Sequence, residues 1–261
     1  MAAFRRIGIL GGMGPQATIL LMQKLLDAVQ TDDDAGHIPL IVDQNPQVPS
    51  RIKRLIEGTG DDPAPVLADM ARRLVAGGAE ALAMPCNAAH HYAGAIRAAV
   101  TVPLLDMVAL SVDHAASLAG PSGKVGILAS PAVRRDGLFD AALAQRGLCG
   151  VYPEDEAAML TAIRQIKAEG PQAQARRTLT AASDEVLAQG AIAQMIACTE
   201  FSLIADSVAP MATSFDTLDR LVGAIIAFST AASDRDQAHG RETSQQQQGS
   251  IAHTPQHRSK K

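Results

Sequence analysis

The amino-acid sequence predicts an α/β fold of two pseudo-symmetric halves, each a mostly parallel sheet covered by helices, with the working site in the cleft between them. Three observations carry this. Short apolar runs alternate with longer segments of helical spacing along the chain, the alternation that builds parallel sheets buried on both faces. Only 3% of residues are aromatic and Trp is absent, so the core must be assembled from Ala, Leu, Ile, Val and Met. The chain also repeats itself: Arg6-Ile7-Gly8-Ile9-Leu10 returns as Lys124-Val125-Gly126-Ile127-Leu128 after 118 residues. The segment from Gly78 to Cys86 returns as Gly190 to Cys198 after 112. Two echoes at nearly one offset, each second one closing on a cysteine, point to duplication.

The elements follow in order. Residues 6–10 are an apolar run of strand length, cut off by Gly11-Gly12. Pro15 suits the first turn of the helix over 17–29. A second strand, 38–42, leads into a Pro-rich loop, and Pro65 opens a helix over 65–76 that Gly77 ends. The strand at 79–84 stops at Pro85-Cys86, and helical spacing resumes over 88–100 and 108–118. In the second half, the strand at 124–129, helices over 154–167 and 171–187, a strand at 194–197 and a helix over 217–228 repeat the alternation. The halves are expected over 1–100 and 101–230. The remainder, 231–261, contains SQQQQGS and few large apolar residues. It is expected to be a disordered tail, because it cannot offset the entropy of ordering.

Composition narrows the function classes. At 261 residues with 47% hydrophobic residues, the chain can bury a full core. Its 23 basic and 27 acidic residues give a formal charge of −4 and no basic stripe, which speaks against a nucleic-acid partner. The apolar stretch after Arg5-Arg6 is too short for a signal sequence, and no run approaches the ~20 apolar residues that span a bilayer. The expectation is a cytoplasmic protein without a membrane partner. Three cysteines, odd in number and far apart, argue for reduced thiols rather than disulfides or a CxxC zinc site. The histidines form no metal cluster: His91 and His114 read as helix-surface residues, and His239, His253 and His257 fall in the tail.

Cys86 and Cys198 each close a predicted strand and precede a helical run, a setting in which free N–H groups favour thiolate. Cys149, in RGLCGV, reads as packing. In open α/β sheets ligands bind outside the carboxyl ends of the strands, so a duplicated fold brings both thiols to one cavity. Two opposed thiols can invert a carbon stereocentre, one taking the proton from one face while the other delivers a proton to the opposite face. Neighbouring groups that could tune them are Asn87, His90, Thr199 and Glu200.

The first glycine loop admits another reading. Gly12-Met13-Gly14-Pro15-Gln16-Ala17 fits G-x-G-x-x-A between a strand and a helix, the dinucleotide fingerprint. The acidic residue such a site wants about 20 residues on is represented only by Asp43, 29 residues beyond Gly14. Otherwise the loop is a tight turn that lines the cleft, with Thr18 beside it.

Gly11-Gly12-Met13-Gly14-Pro15-Gln16-Ala17-Thr18, Cys86-Asn87-Ala88-Ala89-His90 and Ala197-Cys198-Thr199-Glu200 resemble the signatures of the aspartate/glutamate racemase family, in its aspartate racemase branch. The likeness runs from Arg6 to about Phe228. It implies a cofactor-independent racemase acting on a small acidic amino acid, with Cys86 serving the D-enantiomer and Cys198 the L-enantiomer, and a homodimer. It also implies carboxylate anchors at Arg51 and Lys167, further substrate contacts at Met13, Asn87, Ala88, Thr199 and Glu200, and supporting roles for Gly12, Thr18 and His90. Two departures concern the substrate. Ala88 stands where the family usually has Thr, and Ser50-Arg51-Ile52 where it has Asp-Arg-Thr. Alternatives are a two-cysteine isomerase of another small acid, a dinucleotide-dependent enzyme, and a non-catalytic amino-acid sensor.

Overall fold

A computed structural model describes residues 4–231. The tail expected to be disordered lies outside them from residue 232 onward, as do His239, His253 and His257. The first half runs β1 (Ile7–Gly11), α1 (Pro15–Ala28), β2 (Leu40–Gln44), α2 (Arg51–Leu55), α3 (Ala64–Ala76), β3 (Ala81–Ala83), α4 (Ala93–Ala99), β4 (Leu104–Leu105) and α5 (Met107–Ala119). The second runs β5 (Lys124–Ala129), α6 (Pro131–Asp136), α7 (Asp140–Gln145), β6 (Cys149–Val151), α8 (Glu156–Glu169), α9 (Ala173–Ala188), β7 (Ala193–Ala197), β8 (Ser214–Asp216) and α10 (Thr217–Thr230).

Each half is a four-stranded parallel sheet, ordered β2-β1-β3-β4 in the first and β6-β5-β7-β8 in the second. The echoed segments occupy equivalent places. Ile7 pairs with Ala81 in one sheet and Val125 with Ala193 in the other, the same offsets as in the sequence. The echoed glycines have one physical reason. A Cβ on Gly8 would come within 2.8 Å of Ala79 and Leu82 side-chain atoms, and one on Gly126 within 2.7 Å of Val186 on α9. Close packing of the neighbouring strand and of the covering helix, with Leu74 of α3 at 3.1 Å in the first half, therefore excludes a side chain there.

Apolar clusters cover both faces of both sheets. On the first, Leu67, Met70 and Leu74 of α3 pack with Leu10 and Leu82. On the second, Ile163 of α8 and Leu179 and Val186 of α9 pack with Leu128 and Ile196. The closing helix of each half serves the other half. Val108, Val112 and Ala115 of α5 join the core around Ile127 and Met195, whereas Leu218, Leu221 and Ile225 of α10 join that around Ile7 and Ile9. Thus β4 and α10, both beyond residue 100, lie with the first sheet. No described helix is long and apolar enough to cross a membrane.

The expected helix over 88–100 divides into a 3-10 turn, Ala88–Tyr92, and α4. Strands β4, β6 and β8 and helices α2, α6 and α7 were not anticipated. They run two to six residues, too short for periodicity to register, and hold only through neighbouring elements.

Candidate active site

The strand ends carry the site. Cys86 lies beyond β3 and Cys198 directly follows β7, each ahead of a 3-10 turn, Ala88–Tyr92 and Phe201–Ser207, rather than an α-helix. The register makes them equivalent, since each stands five positions beyond the residue paired to the first sheet's Ile7 or the second sheet's Val125. Both are buried. They line one small cavity between the halves. All nine residues expected to be catalytic or substrate-binding reach this cavity: Met13, Arg51, Cys86, Asn87, Ala88, Lys167, Cys198, Thr199 and Glu200.

A chain of polar contacts crosses the second half of the site. The Cys198 thiol donates to Glu200 Oε2 at 3.1 Å, and Glu200 Oε1 pairs with Lys167 Nζ at 3.0 Å. Burial pushes the Cys198 thiol well above its ordinary range, and the Glu200 carboxylate adds to this; Lys167 and the Glu200 backbone N–H act the other way. Cys198 therefore rests as a thiol. Lys167 is held protonated: burial works against its charge, but Glu200 and the two sulfurs outweigh it. The Lys167–Glu200 pair also borders a wider outer recess that reaches Gly14, Pro15 and Leu203.

Arg51 approaches from the first half. It is the first residue of α2, and Ser50 caps that helix by accepting from the Lys53 N–H at 3.3 Å. Serine thus serves as a helix cap at this position. The guanidinium donates to the carbonyls of Pro49 at 3.0 Å, Met13 at 3.3 Å and Val48 at 3.4 Å. Its Nε is buried without a partner, and the cavity's carboxylate, Glu200, is engaged by Lys167 instead. A planar fork with spare donors has the geometry to pair with a carboxylate.

Around Cys86 the supports are buried. His90 Nε2 accepts from the Met107 N–H at 3.2 Å, so Nδ1 carries the proton and donates to the Cys86 carbonyl at 2.9 Å. Burial lowers the His90 pKa and keeps the ring neutral. His90 therefore fixes the cysteine's backbone, and its ring bonds are to backbone groups rather than to the sulfur. Asn87 Nδ2 donates to Thr217 Oγ1 at 3.0 Å, Thr217 donates to the Ile196 carbonyl at 2.9 Å, and Asn87 Oδ1 is left buried and unpartnered. This chain ties the end of the first sheet to the second.

Asp216, beside Thr217, caps α10 through the Leu218 N–H at 2.8 Å and accepts from Ser202 Oγ at 2.9 Å. Burial raises its pKa from the ordinary 3.8 to about 6. The unfolded chain ionises first, so the stability tied to Asp216 is fully present below pH 3.8 and is lost as pH rises through about 6. Asp216→Asn keeps the cap without the charge. Its stability relative to wild type, measured by urea unfolding, is expected to improve by up to about 3 kcal/mol between pH 4 and pH 7.

The glycine loop is a bracket. Gly12, at φ +91°, passes so close to Asn45 that a Cβ would lie 2.4 Å from its carbonyl carbon. The Gly12 N–H donates to Thr18 Oγ1 at 3.0 Å. Thr18 is fully buried in this bond, so it braces the loop and does not line the cleft as expected; Met13 does. Asp43, the acidic residue weighed for a ribose, is held by Arg73 at 2.7 and 3.0 Å.

Several residues of the cavity were not anticipated: Ser130 at the end of β5, Ala132 and Val133 on α6, and Ile163 on α8. Duplication could have pointed to Ser130, because β5 repeats β1 and the end of β1 leads into the cleft. Ile163 stands four residues before Lys167 on α8, a spacing that places both on one helix face; no sequence signal marks Ala132 and Val133, which α6 brings in from the second half.

Comparisons with known proteins bear on the family and the fold. A family model described as Asp/Glu/Hydantoin racemase matches residues 10–225. The chain is 26% identical over 207 residues to the broad specificity amino-acid racemase RacX of Bacillus subtilis (strain 168), spanning 77% of this chain and 88% of RacX. Its fold resembles that of the Picrophilus torridus aspartate racemase, with a TM-score of 0.74 at 23% identity over 86% of this chain and 94% of the other. It also resembles an aspartate racemase homologue from Pyrococcus horikoshii, with a TM-score of 0.66 at 20% identity over 87% and 99%.

Proposed function

The chain belongs to the Asp/Glu/hydantoin racemase family and is an amino-acid racemase, an isomerase; from that premise we propose that it inverts the α-carbon of a small amino acid, aspartate among its substrates, by two-base proton transfer between Cys86 and Cys198. The observation that carries this reading is that both cysteines, at equivalent ends of the two sheets, line one cavity.

With Cys198 a thiol at rest, Cys86 is the base that opens the reaction on the D-enantiomer. The Cys86 thiolate takes the α-proton from one face, and Cys198 delivers its proton to the other. This leaves the L-enantiomer, a Cys86 thiol and a Cys198 thiolate, and the reverse direction runs from that state. The hard step is the charge that builds on the α-carboxylate as the proton leaves. The Arg51 fork is already held by three carbonyls and meets that charge without reorganising. Asn87 Oδ1, unpartnered in the same wall, is an acceptor for the α-ammonium group. Aspartate's second carboxylate would go to Lys167, displacing Glu200.

On this reading no pyridoxal is needed, the enzyme is cytoplasmic, and it works as a homodimer; sedimentation equilibrium tests the last. The reaction itself is tested in deuterated water without added cofactor. L- and D-aspartate are each expected to racemise and to take up deuterium at Cα, followed by circular dichroism and proton NMR. Tight binding without exchange would instead make the protein a sensor.

A further inference from the structure

Helix α1 is apolar on two faces. On one, Leu21 and Leu25 are buried against the first sheet with Ile7 and Ile9. On the other, Ile19, Met22 and Leu26 are 59%, 38% and 50% exposed. The other large apolar side chains exposed among the described residues, Leu118, Ile192 and Met211, belong to three separate segments. A stripe on one helix, unlike such scattered residues, marks an interaction surface. Beside it Met22, Leu25 and Leu26 form an apolar groove with His37, Ile38 and Leu40. Leu40 begins β2, the edge strand of the first sheet, and such edges are ordinarily covered.

The spacing indicates what covers this face. Positions 19, 22 and 26 follow the three-then-four step of a helix-pair seam, and Ile19 and Leu26 lie equally far from the point between Met22 and Gln23. A two-fold axis through that point sets Ile19 against the partner's Leu26 and Leu26 against the partner's Ile19, so the stripe complements itself. Charge complementarity runs the same way. The start of α1 has no acidic residue in its first turn and no side-chain cap on its N–H groups. It shares a recess with Arg51, Lys167 and Glu200, a surplus of one positive charge. Its other end leads to exposed Asp27, Asp32, Asp33 and Asp34. An antiparallel pair lays each acidic end beside the other copy's positive start. Residues 232–261, with Ile251 and no Leu, Val, Met, Phe or Tyr, offer too little apolar surface to cover the stripe instead.

We propose that α1 is the dimer interface, two copies pairing antiparallel along Ile19, Met22 and Leu26 about an axis between Met22 and Gln23. This rests on the homodimer reading above and gives it a surface.

Sedimentation equilibrium of the full chain tests both, and the wild type is expected as a dimer. Ile19→Glu and Leu26→Glu each place two carboxylates in the apolar seam, one per copy, and are expected to raise the dimer Kd at least about hundredfold. Asp32→Lys combined with Asp34→Lys should weaken the dimer about tenfold. Met211→Glu, an equal change elsewhere on the surface, should leave the Kd within about twofold. The stripe residues are exposed, so unfolding midpoints should match the wild type. In a Cys149→Ser background, Met22→Cys is expected to give a disulfide-linked dimer on mild oxidation, which the background alone does not. A monomeric wild type would overturn this surface and the homodimer together. A dimer left unweakened by Ile19→Glu and Leu26→Glu would overturn this surface alone.

Discussion

Cys86→Ser and Cys198→Ser are each expected to lower racemisation by about 10³-fold or more, because inversion needs a base on one face and an acid on the other. The residual behaviour should differ between them. With Cys86 serving the D-enantiomer, Cys86→Ser is expected to retain slow α-deuterium exchange on the L-enantiomer only, and Cys198→Ser on the D-enantiomer only. Serine nearly matches cysteine in volume, so both variants should fold, and their unfolding midpoints check this. The pH dependence of that residual exchange carries a related signature. In Cys86→Ser it depends on the Cys198 thiolate, which burial and Glu200 disfavour. The exchange rate on the L-enantiomer should therefore climb through the alkaline range. Residual exchange that does not rise with pH, or a racemising single variant, would refute the division of labour.

Arg51→Ala is expected to reduce kcat/KM by about 10²-fold or more, since a buried guanidinium-to-carboxylate contact is among the strong polar interactions. The side chain also holds the carbonyls of Met13, Val48 and Pro49, so part of the loss could come from a loosened loop. Arg51→Lys separates the two effects. It keeps the charge but not the fork, and a rise in KM of about tenfold with a smaller change in kcat is expected if Arg51 acts on the carboxylate. Saturation curves of deuterium exchange for both variants would check this. Wild-type kinetics in both would assign the carboxylate to Lys167.

Much of this was legible in the chain because duplication leaves local marks. The glycines that close packing demands and the cysteines at the strand ends are consequences of backbone geometry, and they recur wherever the geometry recurs. Motif and position also brought out Arg51 and Lys167, which lie far apart along the chain and meet in one cavity. Thr18 and His90 were named from their motifs, but their parts changed. Thr18 turned inward to bond the Gly12 N–H, and His90 reached the Cys86 carbonyl instead of the sulfur. Each depends on which partner a side chain meets, which spacing does not encode.

Local patterns, then, established the fold class, the doubled architecture and the two thiols, because apolar period, turn glycines and repeats are written within a few residues of one another. Long-range packing established the rest. It exchanged α5 and α10 between the halves, set Glu200 between Cys198 and Lys167, and brought apolar side chains of α2, the turn after Cys86, α6 and α8 into the cavity. The protonation of a buried thiol and the net charge of a cavity depend on groups gathered from distant segments at distances of a few ångströms, where electrostatics is strong and sequence separation is irrelevant.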